Sequence, residues 1–273
     1  MASKLFFALQ LDLPFTVPVG RGRYLLRDPA GRPERVVVVG QAERGTVLTL
    51  IEASPLADAQ EGERRLAALQ LDGAFAQAAP QLARIFQGFR LASATLLYPP
   101  SPADLAGLRA GYGKGQRLAE GRLERARELG GRQGGGLRRL LGRPRRTALA
   151  REDRLAAILS GRLPPLLCEE LALRARLALA SGELPLALHE LRGALHFALL
   201  ELPGEVEAVG ADLANRLGEL QAVAKRLEEQ GQENGATPSA QELEHGLARL
   251  EAALRLRALV RTGSYKGGDG ADG

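Results

Sequence analysis

The leucine spacing in the last third of the chain is the strongest constraint on its fold. Apolar residues recur every three or four positions in two runs, Val206–Leu227 and Leu243–Leu254. That period places them on one side of an α-helix. Between the runs lies a polar segment in which Ser239 and Glu242 have the spacing of a capping box. We therefore expect an antiparallel helical hairpin, or a coiled coil, over residues 204–262.

The same two helices supply a candidate surface for a protein partner. A lone pair of helices seldom buries its apolar faces without a third element or a partner. The sequence therefore predicts contact with a partner protein, or self-association, through six leucines of this hairpin: Leu213, Leu217, Leu220, Leu247, Leu250 and Leu254.

The first hundred residues have a different pattern. Short β-rich runs flank turn residues such as those at 28–31, and short connections favour antiparallel strands because parallel strands need a longer crossover. Two short helices are predicted between residues 61 and 89, with a break at Asp72-Gly73 and with Pro80 in a first helical turn. A final strand is predicted to end at Pro99-Pro100.

The remainder of the chain is predicted to be mainly helical. Aromatic residues make up only 4% of the sequence and there is no Trp, so Leu, Ala and Val must build the core, which suits helix packing. The expected fold class is α+β: a small N-terminal antiparallel-sheet domain with short helices, then a mainly α-helical C-terminal region that ends in the helical hairpin. The predicted divisions are an α+β domain (1–100), a basic, Gly/Arg-rich connector with a charged helix (101–150), a helical region (151–262) and a disordered tail (263–273).

Within the helical region, residues 166–202 are predicted to form a first helical hairpin that resembles a tetratricopeptide repeat. The likeness covers about thirty residues, whereas a repeat array would show further copies at a period of about 34 residues. This chain has no second copy, so the resemblance implies a helical hairpin and not an array. It is carried by Gly182 before the second helix and by small and apolar residues within it: Ala187, Leu188, Leu191, Ala194 and Leu195.

Positive charge is concentrated in the predicted connector. The formal charge is +2 over residues 1–100, +9 over 101–151 and −6 over 152–273. Arginine can pair with phosphate through two hydrogen bonds and glycine allows close approach, so a Gly/Arg segment can bind nucleic acid without sequence preference. Residues 130–146 hold six arginines and no acidic residue, and these are the candidate nucleic-acid ligands: Arg132, Arg138, Arg139, Arg143, Arg145 and Arg146.

Two observations favour a plain connector instead. Phe197 is the only aromatic residue between Gly113 and Thr262, so the stacking rings that single-strand and RNA-binding modules use are missing. The acidic second half of the chain can also pair with the arginines. A solvated connector and a polyanion-binding arm are both carried forward as hypotheses.

No linear motif predicts a catalytic, metal or cofactor site. His189 and His196 would lie about 10 Å apart along a helix, too far to share one metal ion. Cys168, the single cysteine, is expected to be a packing residue. Gly111–Gln116 lacks the spacing of a phosphate-binding loop, and no Ser or Thr follows Lys114. An enzyme whose site is assembled from scattered residues is kept as a third hypothesis.

The N-terminal apolar run is interrupted by Gln10 and Asp12, so no signal peptide is predicted. No membrane span is predicted either, because such a span needs about 18 apolar residues in succession. We expect a cytoplasmic location. The first functional hypothesis is a non-enzymatic interaction or scaffold protein that acts through its C-terminal helices, and the second is a nucleic-acid-associated protein.

Overall fold

The computed structural model describes residues 4–42, 45–130, 151–233 and 238–263, and the chain divides into two compact units, 1–161 and 162–273. An antiparallel sheet forms the first unit and helices form the second, which confirms the predicted fold class. No helix within the described ranges combines the length and the apolar character that crossing a membrane requires.

The first unit is built on a six-stranded sheet in which every neighbouring pair of strands is antiparallel. Its order is β2-β3-β4-β1-β5-β6, so β1 lies between β4 and β5. The strands are β1 (Leu5–Leu13), β2 (Gly22–Arg27), β3 (Pro33–Ala42), β4 (Gly45–Pro55), β5 (Gly107–Lys114) and β6 (Arg125–Gly130).

One face of the sheet carries the main core of this unit. Alternate residues of β1, from Phe7 to Leu13, pack with Phe86 and Phe89 of α2. The other face carries a smaller cluster in which Leu118 packs with Ala8. The helices of the unit are α1 (Ala59–Ala68), α2 (Leu71–Ser93), α3 (Gly115–Leu118) and α4 (Arg151–Leu159).

The predicted charged helix in the connector is wrong, because β5 and β6 occupy that part of the chain. Strand β5 pairs with β1 along its whole length and carries β6 on its other side. A side chain at Gly111 would place its Cβ 2.4 Å from the Arg125 carbonyl oxygen, so this strand pair requires glycine there. Glycines that would weaken a helix allow close strand pairing at this place in the chain. The first unit therefore extends to residue 161, whereas the predicted α+β domain ended at residue 100.

The predicted helix break at Asp72-Gly73 is also wrong. The break falls at Leu69-Gln70, and α2 then runs through Pro80 to Ser93. Proline in a helix interior costs about 3 kcal/mol. Buried residues on the sheet-facing side of α2, from Ala74 to Phe89, offset that cost. Because α2 extends to Ser93, the segment before Pro99-Pro100 is not a strand.

The second unit consists of two helical hairpins, as predicted. In the first, α5 (Leu167–Ala180) turns at Gly182, which has a φ of 77°, into α6 (Leu184–Glu201). A short helix α7 (Val206–Val209) ends at Gly210 and precedes α8 (Ala211–Glu233) and α9 (Ala240–Arg261). The Glu219–Arg249 ion pair and the approach of Val223 to Gly246 show that α8 and α9 are antiparallel.

The Gly111 position offers a test of the β5–β6 pairing. We expect Gly111→Ala to lower the free energy of unfolding of the first unit by about 1–3 kcal/mol, because the new methyl group meets backbone. Urea unfolding followed by tyrosine fluorescence measures this, since Tyr24 and Tyr112 are buried in this unit. The matched control is Gly73→Ala in α2, where an added Cβ meets nothing within 4 Å and should stabilise by up to about 1 kcal/mol. A more stable Gly111→Ala protein would contradict the strand pairing.

Candidate interaction surface

The six leucines predicted to bind a partner lie in the core of the second unit instead. None is more than 9% exposed, and all belong to one apolar cluster with residues of α5 and α6. The α5–α6 hairpin is the third element that a lone helix pair needs, and Leu191 of α6 comes close to α9 at Gly246. The prediction is therefore corrected: Leu213, Leu217, Leu220, Leu247, Leu250 and Leu254 hold the unit together and do not form an exposed surface.

A buried ionic cluster around Arg257 fixes the helices of this unit. Arg257 is 0% exposed, donates a 2.8 Å hydrogen bond to the Pro164 carbonyl oxygen and lies 3.1 Å from a carboxylate oxygen of Glu205. Its other terminal nitrogen lies 3.7 Å from Glu169. The second oxygen of Glu205 accepts a 2.8 Å hydrogen bond from Arg261. Side chains of α9 are thus joined to the start of α5 and to the turn after α6.

The charges of this cluster stabilise one another. Burial alone would raise the pKa of Glu205, but the hydrogen bond from Arg261 and the charge of Arg257 outweigh burial and hold that pKa below its ordinary value. Glu205 is therefore ionised at neutral pH. Pairing of opposite charges offsets the cost of burying them, although Nε and Nη1 of Arg257 are buried without a hydrogen bond.

Glu201, at the end of α6, caps the start of α5. Its two carboxylate oxygens accept backbone hydrogen bonds from Leu167 and Cys168 at 3.0 and 3.1 Å. A carboxylate at this end of a helix is favoured by the helix dipole. Burial and the hydrogen bond to Glu201 raise the pKa of the Cys168 thiol, so the group stays protonated and packs as a small apolar residue.

The outer side of the α5–α6 hairpin carries exposed leucines. Leu167 and Leu177 of α5 are 45% and 40% exposed, and Leu186 and Leu200 of α6 are 45% and 63% exposed. We call this surface, with those four residues, the leucine face. The inner sides of α5 and α6 pack against α8 and α9, as the buried positions from Ala172 to Ala198 show.

Polar residues of the hairpin share the leucine face. Arg174 lies on α5 between the two leucines of that helix and is exposed. His189 and His196 are exposed on α6, and the His196 ring meets Phe197 edge-on with centroids 5.4 Å apart. Among the residues that the structure describes, no group of His, Cys, Asp and Glu side chains could hold a metal ion.

An open groove of about 290 Å³ lies between α8 and α9. Arg226, Gln241 and His245 line it together with apolar residues. Ser239 and Glu242 form the predicted capping box at the start of α9, so the first backbone amides of that helix are already bonded. Glu242 also lines the groove, and one of its carboxylate oxygens already accepts hydrogen bonds from the backbone amide and the hydroxyl of Ser239.

The six arginines of the candidate nucleic-acid segment, Arg132 to Arg146, lie outside the described residues, as does the tail from 264 onward. Several basic residues just before them are already engaged. Arg109 lies 2.8 Å from Asp12 and Arg125 lies 3.7 Å from Glu63. Arg127 donates to carbonyl oxygens at the end of α1. Part of the positive charge of the region is therefore balanced inside the first unit.

Sequence reasoning missed the four leucines of the leucine face. Helices α5 and α6 carry Leu and Ala on nearly every side, which is the pattern of a helix buried all round. Every alanine from Ala187 to Ala198 on α6 is buried, but so are Leu191 and Leu195, so residue type alone does not separate inner from outer leucines. Leu186 and Leu200 lie seven positions to either side of Gly193 on the outer stripe.

Comparison with protein-family models, with curated proteins and with solved structures finds no match to this chain. The likeness of residues 166–202 to a tetratricopeptide repeat therefore extends to the helical hairpin and no further.

Removal of the Arg257 side chain tests the ionic cluster. We expect Arg257→Ala to lower the free energy of unfolding of the second unit by about 3–5 kcal/mol at pH 7, because Glu205 and Glu169 would be left buried without their cation. The matched control is Arg255→Ala at an exposed position of the same helix, with an expected change within about 0.5 kcal/mol.

The pH dependence gives this test a second readout. The low pKa of Glu205 stabilises the wild type above the ordinary glutamate pKa, and that contribution is lost as the pH falls through the folded-state pKa. Urea midpoints measured from pH 7 down to pH 3 should therefore bring the wild type and Arg257→Ala closer together. A gap that stays constant across this range would contradict the role of the cluster.

Proposed function

We propose that this protein is a cytoplasmic, non-enzymatic interaction protein that binds a partner through the leucine face. One observation carries the proposal: of the five large apolar side chains that are exposed among the described residues, four lie on this one hairpin. Single exposed leucines are ordinary on a protein surface, whereas a cluster of them is typical of an interaction site.

The rigidity of the hairpin supports this proposal. The Glu201 cap joins the end of α6 to the start of α5. Arg257 of α9 pairs with Glu169 in the first turn of α5 and with Glu205 just after α6. A surface held in place before binding loses little conformational entropy when a partner arrives. The ionisable groups around Arg257 are paired with one another in the interior of the unit, which favours a structural role for them over catalysis.

A site-specific photo-crosslinker tests the proposed surface. Placed at Leu186 in cells of the organism that encodes the protein, it should yield an adduct of one discrete mass, because a partner covers this position. The adduct should disappear when Leu167 and Leu200 are both changed to Glu. Since both leucines are exposed, that double variant should keep its unfolding midpoint, with a change within about 0.5 kcal/mol.

The control for this experiment is the same crosslinker at Glu228, an exposed position of α8 on the other hairpin. Equal adducts from Glu228 and Leu186 would count against the leucine face. So would an adduct at Leu186 that persists in the double variant.

Polyanion binding by residues 130–146 is the second candidate function. The observation that favours it is the run of six arginines without one acidic residue. Binding would follow from counterion release and would weaken steeply with salt. It would not involve the leucine face.

Fluorescence anisotropy with labelled duplex DNA and single-stranded RNA tests this second candidate. We expect micromolar binding at low salt that is lost when Arg138, Arg139, Arg143, Arg145 and Arg146 are changed to Ala. The Leu167→Glu/Leu200→Glu protein serves as the control and should bind as the wild type does. Absence of binding at low salt would leave the segment as a connector.

A further inference from the structure

The connection between α2 and β5 carries an exposed surface on the first unit. Between the end of α2 and a 3₁₀ turn at Pro102–Asp104, the backbone forms neither helix nor strand. Of the five large apolar side chains that are exposed among the described residues, Tyr98 is the one outside the leucine face, and its exposed fraction is 59%. Three prolines follow Tyr98 within four positions: Pro99, Pro100 and Pro102. We call residues 98–102 the proline segment.

The prolines favour a polyproline II conformation for this segment. Each proline fixes its own φ at about −65°, and the residue before a proline is restricted to extended backbone. Tyr98, Pro99 and Ser101 each precede a proline. Ser101 has a φ of −82° and a ψ of 167°, which are close to polyproline II angles. The extended conformation is therefore a property of the segment itself and does not require a bound partner.

Burial along the segment follows the three-residue repeat of a polyproline II helix. Leu97 and Pro100, which are three residues apart, face the protein: Leu97 packs against the main core of the first unit and Pro100 is buried. One row of the segment thus lies against the protein, and the two other rows face outward. These rows are Tyr98 with Ser101, both exposed, and Pro99 with Pro102, of which the first is exposed and the second half-buried.

Contacts at both ends hold the proline segment in place. At its start, the Arg90 guanidinium lies 5.7 Å from the centroid of the Tyr98 ring and donates a 3.1 Å hydrogen bond to the Leu97 carbonyl oxygen. At its end, the backbone amide and the hydroxyl of Ser101 both donate to a carboxylate oxygen of Asp104, at 2.9 and 2.6 Å. A segment fixed in this way loses little conformational entropy when a partner binds.

We infer that the proline segment binds a polyproline-binding domain, one whose groove is lined by aromatic side chains. Such grooves take Pro-x-x-Pro segments in the polyproline II conformation. Tyr98-Pro99 and Ser101-Pro102 repeat one pair, a residue followed by proline, three positions apart, and the intervening Pro100 is buried. No other two prolines in the sequence are three positions apart. The inference goes beyond the proposed function and does not rest on the leucine face.

Titration of the full chain into purified SH3, WW and EVH1 domains, three classes that bind proline-rich segments, tests this inference. The backbone amide shifts of each isotope-labelled domain are followed by NMR. At least one domain should bind, with its largest shifts at the aromatic residues of its groove, and a decaproline peptide should compete. Tyr98→Ala/Pro99→Ala should weaken the binding by about tenfold or more, because a few anchor residues carry most of the affinity of an interface.

The matched control is Pro29→Ala, at an exposed proline in a turn of the same unit, which should bind as the wild type does. Since Tyr98 and Pro99 are both exposed, the double variant should keep the urea midpoint of the wild type. The Leu167→Glu/Leu200→Glu protein should also bind normally, which separates this surface from the leucine face.

Three outcomes would overturn the inference. Absence of binding to every domain tested would leave the prolines as a connection between α2 and β5. Binding that survives Tyr98→Ala/Pro99→Ala would place the contact on another surface. An equal loss in Pro29→Ala would show that the contact does not depend on the spacing of Pro99 and Pro102. None of these results bears on the crosslinking experiment at Leu186, which decides the proposed function on its own.

Discussion

The second unit depends on the pairing of one buried cation. Arg257 has no exposed surface, and a guanidinium in such a place is tolerated only when carboxylates and carbonyls surround it. Glu205, Glu169 and the carbonyl oxygen of Pro164 meet that requirement from three separate places in the chain. Since these groups must converge for the charge to be buried at all, the cluster specifies one arrangement of α5, α9 and the turn between α6 and α7.

The exposure of the leucine face follows from that arrangement. With their inner sides packed on α8 and α9, helices α5 and α6 turn a second row of leucines outward. The small residues that allow close helix packing, such as Ala175 and Ala194, lie inside, whereas Leu186 and Leu200 lie outside. The ionic cluster and the Glu201 cap thus hold the hairpin whose outer side exposes the four leucines of the leucine face.

Much of the second unit could be predicted from sequence because its signals are local. The spacing of leucines in α8 and α9, the Ser239–Glu242 capping box and the turn at Gly182 each act within a few residues, and each is found as predicted. The errors concern features that depend on distant residues. From sequence alone Gly111 indicates a weak helix, whereas in the structure it lies on β5 between β1 and β6. Pro80 likewise predicts a helix start, whereas it lies inside α2, whose buried side packs on the sheet.

The sequence by itself determined where the helical hairpins form and where the chain carries its positive charge, because hydrophobic period, turn residues and composition are properties of neighbouring residues. The tertiary structure decided which leucines are covered. Leu213 and Leu247 are buried and Leu186 and Leu200 are exposed, although all four lie on predicted helices. Whether a leucine is buried depends on which other helix packs against it. Only the packing of α5 and α6 onto α8 and α9 shows which leucines are covered.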